Sequence, residues 1–368
     1  MMMLMLSTMM LAGCDFGGND TTTEENKPSE NKTEEKTNTE NKETTTTEDT
    51  GKKTVNVYMP SPSGLQTKIE KGFEAAYQNI DMVVTSGTTG ELLAKIEAEK
   101  ANPVCDVLIL ASWSDGINSL TNLDLMAYTP VDGDKLDTPF KHESNKIWGT
   151  SASAVGVIYN SDLVDKTKIE KLDWSDYASK EKIDSVLIDS GEARMSIPDP
   201  TKSGACKDFL AGFVSSKGEE ASNTVFTGWA NNGMKNGGGN KTALADIESG
   251  KIDILVGGVD YNAYSDKKKG KKIDFYYPKG GTVVNARPAM IMNTAKHVDE
   301  AKKVMDYLCT KESQGFVSDS MLIPGRKDVS CNSYRASYSD INTFTNLDWN
   351  YMASNGTKIA TDFVAKLK

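Results

Sequence analysis

From Lys53 onward, short apolar runs with strand character alternate with stretches of helical spacing, and this alternation constrains the fold more than any other feature. Val55-Asn56-Val57-Tyr58 alternates with period two, as a strand does. Gly64 to Tyr77 then places Leu65, Ile69, Phe73 and Ala76 on one helical face. Ile80 to Val84 reads as a strand, Gly90 to Lys100 as a helix, and Val104 to Leu110 as a strand buried on both faces. The pattern resumes with a strand ending at Met195-Ser196-Ile197-Pro198, a helix from about Ser203 to Ser215, and strands at Ile252 to Val256 and Val283 to Met292. Helices are expected over His297 to Leu308 and Lys311 to Ser318, and a broken one over Phe344 to Leu367. Strands alternating with helices imply an α/β fold with a mostly parallel sheet. At 368 residues the chain is long enough for two lobes.

A formal net charge of −10 disfavours nucleic acid and broad adsorption to acidic lipid, since both reward a basic footprint. It leaves a local pocket of opposite sign open.

The N-terminus carries a short, Met-rich apolar run ending in Leu11-Ala12-Gly13-Cys14. Small residues before a cysteine in this setting resemble a bacterial lipoprotein signal, residues 1–14, with Cys14 as the lipidated residue; the run is too short to span a bilayer. No Lys or Arg precedes it, unlike the usual positive n-region. Residues 15–52 are almost all Thr, Glu, Asn, Lys, Asp, Ser and Gly, a composition that cannot bury enough apolar surface to order itself. As a tether they would reach about 30–37 Å root-mean-square. The remaining cysteines, Cys105, Cys206, Cys309 and Cys331, show no C-x-x-C spacing. Cys309 and Cys331 are near enough in sequence to pair, but spacing alone does not establish a bond.

In open α/β sheets ligands sit beyond the carboxyl ends of the strands. Thr85-Ser86-Gly87-Thr88-Thr89-Gly90-Glu91 joins a strand to a helix and offers hydroxyls and free N–H groups at a positive helix end. Thr88 and Glu91 also match a capping box, so helix capping is the simpler reading of this loop taken alone. Asp199-Pro200-Thr201-Lys202-Ser203-Gly204-Ala205 repeats the arrangement. Two such loops, one per lobe, suggest an anion held between two helix N-termini. Ser61-Pro62-Ser63 follows the first strand, Ser112-Trp113-Ser114 the third, and Asp260-Tyr261-Asn262-Ala263-Tyr264 a later one. Trp113 offers an aromatic face, and Asp260 and Tyr261 suit a polar ligand or a hard metal.

The run Gly237 to Thr242 lacks the glycine that a P-loop needs before its lysine, and no G-x-S-x-G elbow occurs. His142 and His297 are the two histidines, without evident triad partners, so a hydrolase or His-based zinc site is poorly supported.

The runs Ser86 to Glu99, Pro103 to Val107, Ile197 to Ala205, Ala243 to Asp253, Gly258 to Tyr261 and Ala286 to Met292 together resemble the iron(III)/phosphonate/phosphosugar branch of ABC-importer solute-binding proteins. That resemblance implies a type II periplasmic-binding-protein fold of two α/β lobes, joined by crossing strands, with the ligand cleft between them. Lobe one would be 53–152 plus 283–326, and lobe two 153–282 plus 327–368. Ferric members carry a His after the first strand, a Glu after the third and a Tyr-Tyr pair in lobe two. Here those places hold Pro60-Ser61, Ser112-Trp113 and Asp260-Tyr261, so of that set Tyr261 is retained. The loop Ser203-Gly204-Ala205 resembles the anion loop of the family.

The reading is therefore a non-enzymatic, monomeric receptor that takes a small anionic solute, such as 2-aminoethylphosphonate or a sugar phosphate, to a permease. It carries no cofactor and sits on the outer side of the cell membrane through Cys14. The expected ligand contacts are Ser61, Ser63, Ser86, Gly87, Thr88, Thr89, Ser112, Trp113, Thr201, Ser203, Gly204, Ala205, Asp260 and Tyr261. Ferric iron, held through Tyr261 and Asp260, is the alternative cargo, and a secreted hydrolase the alternative class.

Overall fold

The computed structural model describes residues 51–367. Cys14 and nearly all of the polar segment lie outside the described residues. In chain order the elements are β1 Lys53–Met59, α1 Ser63–Ala76, β2 Ile80–Ser86, α2 Thr89–Ala98, β3 Val107–Ile109, α3 Trp113–Asn122, β4 Leu125–Met126, β5 Trp148–Asn160, α4 Lys166–Ile169, α5 Lys180–Asp184, β6 Met195–Ile197 and α6 Gly204–Lys217. They continue as α7 Glu219–Asn231, β7 Lys235–Asn236, α8 Asn240–Glu248, β8 Ile254–Val259, α9 Asp260–Lys268, β9 Ile273–Tyr276, β10 Val284–Met292, α10 Val298–Leu308, α11 Lys311–Asp319, β11 Ile323–Pro324 and α12 Trp349–Lys366.

The sheet runs β2-β1-β3-β10-β5-β8-β6-β7, with β4, β9 and β11 pairing off this path. It is parallel at its ends, where β1 pairs β2 and β3 and where β6 pairs β7 and β8. It is antiparallel in the middle, where β10 pairs β3 and β5 and β5 pairs β8 and β9. The fold is the expected α/β, two-lobed, type II arrangement, but the sheet is mixed. The antiparallel strands are the two that cross between lobes. β5 is buried along all thirteen residues, because its first half pairs with lobe-one strands and its second half with lobe-two strands.

Local chemistry sets the element ends. The β3 strand is shorter than the apolar run that encodes it. Asp106, fully buried, accepts the Asn56 amide at 2.8 Å and the Lys296 and His297 amides at 2.9 and 3.1 Å, so backbone on either side is held by a side chain rather than by a ladder. The last helix is continuous rather than broken and starts at Asp348, whose carboxylate accepts the Asn350 and Tyr351 amides at 2.9 and 3.0 Å. α12 packs on α6 and α7 and also on α3 of the first lobe. Its Phe363 joins Phe209, Phe213, Phe226, Trp229 and Phe344 in an aromatic core with ring separations of 5.3–6.5 Å. The four described cysteines are all unpaired, with Cys309 buried and Cys331 half-buried.

Candidate functional site

The loops beyond β1, β2, β3, β6 and β8 converge between the lobes, with β5 and β10 behind them. Gln66, 7% exposed on α1, organises the first two loops: its amide donates to the Met59 and Ser61 carbonyls and to Ser86 Oγ at 2.9–3.0 Å. Ser63 is exposed at the start of α1, and Ser86 is exposed at the end of β2. Thr88 completes the capping box, its hydroxyl accepting the Glu91 amide at 3.3 Å while Glu91 accepts the Thr88 amide at 2.8 Å. Hydrogen bonds from Thr88 hold the Glu91 carboxyl below its ordinary range. Thr89 turns inward and its hydroxyl accepts the Ala111 amide at 3.0 Å.

The loop after β6 is held by Asp199, which accepts the Thr201 amide and hydroxyl at 2.9 and 2.6 Å and the Asn236 amide group at 3.0 Å. Burial raises this carboxyl, but the bonds from Thr201 and Asn236 outweigh it, and the net direction is down. Thr201 is exposed. The Ser203 hydroxyl caps α6 by accepting the Cys206 amide at 3.2 Å. The Gly204 and Ala205 amides, also first-turn donors, are not taken by that cap. A Cβ on Gly204 would lie 2.9 Å from Ser112 Cβ and 3.2 Å from Thr89 Oγ1, so the missing side chain is what lets the lobes meet. Gly90 likewise faces the Thr201 carbonyl.

Beside this contact the α3 N-terminus already holds an anion of the protein's own. Ser112 Oγ donates to Asp208 of α6 at 3.0 Å, the Ser114 hydroxyl makes a short bond to the same oxygen, and Lys207 pairs with Asp115. Asp208 is wholly buried, and desolvation pushes its carboxyl up to about 6. Trp113 lines a separate cavity of about 220 Å³ together with Phe140, His142, Ala286, Tyr338 and Trp349.

Asp260 and Tyr261 open α9. Asp260 is fully buried, and its carboxylate is engaged on all sides: the Tyr261 amide at 2.6 Å, the Tyr277 hydroxyl at 2.9 Å and Arg335 Nη2 at 2.7 Å. It is therefore not placed to face a ligand cation. The Tyr261 ring lies 5.3 Å from the Arg287 guanidinium carbon. Arg287 stands on the crossing strand β10, 2% exposed. Its Nη1 donates to the Pro60 carbonyl at 3.1 Å, and its Nε has no partner. Among the described residues no ion pair engages it, whereas Arg326 and Arg335, also buried, both have carboxylate partners. Two residues before it on β10, the buried Asn285 Nδ2 is also unsatisfied.

The structure thus brings together Ser61, Ser86, Gly87, Thr89, Ser112, Ser203, Gly204, Ala205 and Tyr261 around the interlobe contact. It leaves Ser63 and Thr201 at the rim and ties the Thr88, Ser112 and Asp260 side chains to the protein itself. Arg287, Asn285, Gln66 and Asp208 were not expected from sequence. Arg287 had a signal, the one charged residue of a strand whose other members are apolar save Asn285. His297 has an acidic partner, Asp106, at 2.9 Å, but that carboxylate is the backbone staple of β3. His142 bonds Ser144 within its own turn at 2.9 Å. No group of three or more His, Cys, Asp or Glu side chains suited to a metal occurs among the described residues, and none of their helices is long and apolar enough to cross a membrane.

The chain is similar to solved structures across most of its length. A periplasmic binding protein, AfuA from Actinobacillus pleuropneumoniae with fructose-6-phosphate bound, superposes with a TM-score of 0.74 at 20% identity, covering 86% of this chain and 99% of that one. Iron-bound HitA from Pseudomonas aeruginosa gives 0.73 at 20% identity, covering 84% and 99%. By sequence the chain is 22% identical over 292 residues to iron uptake protein A1 of Synechocystis sp., covering 73% of this chain and 74% of the relative. Residues 117–355, well over half of the chain, match the family model described as bacterial extracellular solute-binding protein, and the chain belongs to that family.

Proposed function

We propose that this protein is the solute receptor of an ABC importer for a small phosphorus-containing anion, with Arg287 as the counter-charge. The observation that carries this reading is the buried, unpaired Arg287 on a crossing strand, with a free Nε and the unsatisfied Asn285 Nδ2 nearby. A buried cation without a partner is costly, and an anion arriving between the lobes would relieve that cost. The uncapped Gly204 and Ala205 amides add the donors that helix N-termini offer to phosphoryl oxygens. Ligand contacts from both lobes and a crossing strand would drive hinge closure. Because Asp260 is tied to Arg335, it does not supply a site for an ammonium group, which supports a sugar phosphate over an aminophosphonate. The sugar phosphate in the AfuA structure agrees with this choice.

Ferric iron is the second reading. The names of the Synechocystis and Pseudomonas relatives favour it, and Tyr261 supplies one hard oxygen donor. Calorimetric titration with glucose 6-phosphate, 2-aminoethylphosphonate, phosphate and ferric citrate decides between them. Binding of a phosphoryl compound that is lost in Arg287→Met supports the proposal. A visible tyrosinate-to-iron band that vanishes in Tyr261→Phe, with no phosphoryl binding, replaces it with iron. Anchoring through Cys14 belongs to the same proposal, and Cys14→Ala is expected to move the protein from the membrane fraction to the soluble one.

A further inference from the structure

We infer that Arg335 determines anion specificity without touching the ligand, by neutralising Asp260 so that Arg287's charge stays available. This rests on the reading that Arg287 receives the solute. Asp260 adjoins Tyr261, whose ring lies against Arg287. A free carboxylate there would repel an anion and attract the Arg287 guanidinium, and in a low-dielectric interior both effects are strong.

The geometry removes that charge. The Arg335 and Asp260 side chains are both fully buried and meet at 2.7 Å. The rest of the guanidinium is fixed by the chain around it: Nη1 bonds the Met321 carbonyl, Nε donates to the Ala336 carbonyl at 2.9 Å, and the Tyr264 ring lies 5.4 Å from its central carbon. Each of its three nitrogens thus has a partner within the protein. Arg335 comes from the segment between β11 and α12, far in sequence from α9, so its placement depends on that segment crossing onto the second lobe. The other titratable groups facing Asp260 are Tyr277 after β9, Tyr264 on α9 and Cys331 on the Arg335 segment, with Arg287 across the Tyr261 ring. Burial beside Asp260 pushes the Tyr277 hydroxyl far up, so it stays a neutral donor. Among the described residues Arg335 is the one cation in an ion pair with Asp260.

The test compares wild type, Arg335→Gln, Asp260→Asn and the double variant, titrated with inorganic phosphate and glucose 6-phosphate at pH 7.5. Arg335→Gln is expected to weaken anion binding at least about tenfold. Adding Asp260→Asn should restore affinity to within about threefold, a rescue that loss of packing alone would not give. If Arg335→Gln does not fold, Asp260→Asn carries the test: it leaves Arg335 uncompensated and should tighten anion binding about threefold or more. The inference fails if folded Arg335→Gln binds as wild type does, if the double variant stays as weak as the single one, or if Asp260→Asn leaves affinity unchanged. If wild type binds neither compound, the reading of Arg287 fails first.

Discussion

Two buried arginines lie against α9, one over the Tyr261 ring and one bonded to Asp260, and they differ in what the chain provides for them. Arg335 has a fully buried carboxylate at 2.7 Å, two carbonyl acceptors and an aromatic face. Arg287 has the Pro60 carbonyl, the Tyr261 ring and an unpartnered Nε. The first is complete within the protein and behaves as structure. The second is buried with an unsatisfied donor, and under the proposed function an arriving anion would relieve that unfavourable charge.

The sharpest way to break this comparison is to remove each arginine and follow thermal unfolding without ligand. Arg335→Met orphans Asp260 and is expected to cost about 3–5 kcal/mol, whereas Arg287→Met removes an unpaired buried cation and should leave stability unchanged or raise it. A loss of similar size in both would show that Arg287 is structural too. Asp208 is an intermediate case, a buried carboxylate held by two hydroxyls. Its pKa is raised from 3.8 to about 6, so the folded lobe contact binds the proton more tightly than the unfolded chain does. Its contribution is therefore fullest below about pH 4 and lost as pH rises to about 6, by at most roughly 3 kcal/mol. Asp208→Asn should flatten urea-unfolding stability across that window, and an unchanged pH profile would remove Asp208 from the account. In ligand titrations Arg287→Met should lower phosphoryl affinity about ten- to a hundredfold, the worth of charge-assisted bonds of roughly 1.5–3 kcal/mol. The smallest effects separate the two loops. Thr88→Ala should lower stability by about 1 kcal/mol through its cap and leave affinity intact. Ser203→Ala should lose a similar cap and weaken the anion as well. Equal affinity losses in both would restore a symmetric two-loop clamp.

The two loops also show where local reading succeeds. Thr88 and Glu91 stand three apart, and a pair that close finds itself without help from the rest of the fold, so the capping box was legible. The second loop was legible as a helix start with glycine and hydroxyls. That Gly204 is needed where Ser112 and Thr89 approach it was not, because those neighbours lie more than ninety residues away. The crossing strand β5 escaped notice for a related reason. Its Thr150-Ser151-Ala152-Ser153-Ala154 stretch has little apolar contrast, and its burial comes from strands on both sides rather than from its own hydrophobicity.

Sequence alone determined the alternating α/β plan and the helix starts, because these rest on periodicity and on contacts three or four residues apart. Tertiary structure decided the partners of the charged residues. Asp260 looks like a ligand residue in sequence and becomes half of an ion pair only when a segment 75 residues later crosses onto its lobe. Arg287 is a single arginine within a strand in sequence, and only the fold shows that it is buried with no carboxylate among the described residues brought to it. Pairing of buried charges depends on distances of a few ångströms between distant segments, and the order of residues does not carry those distances.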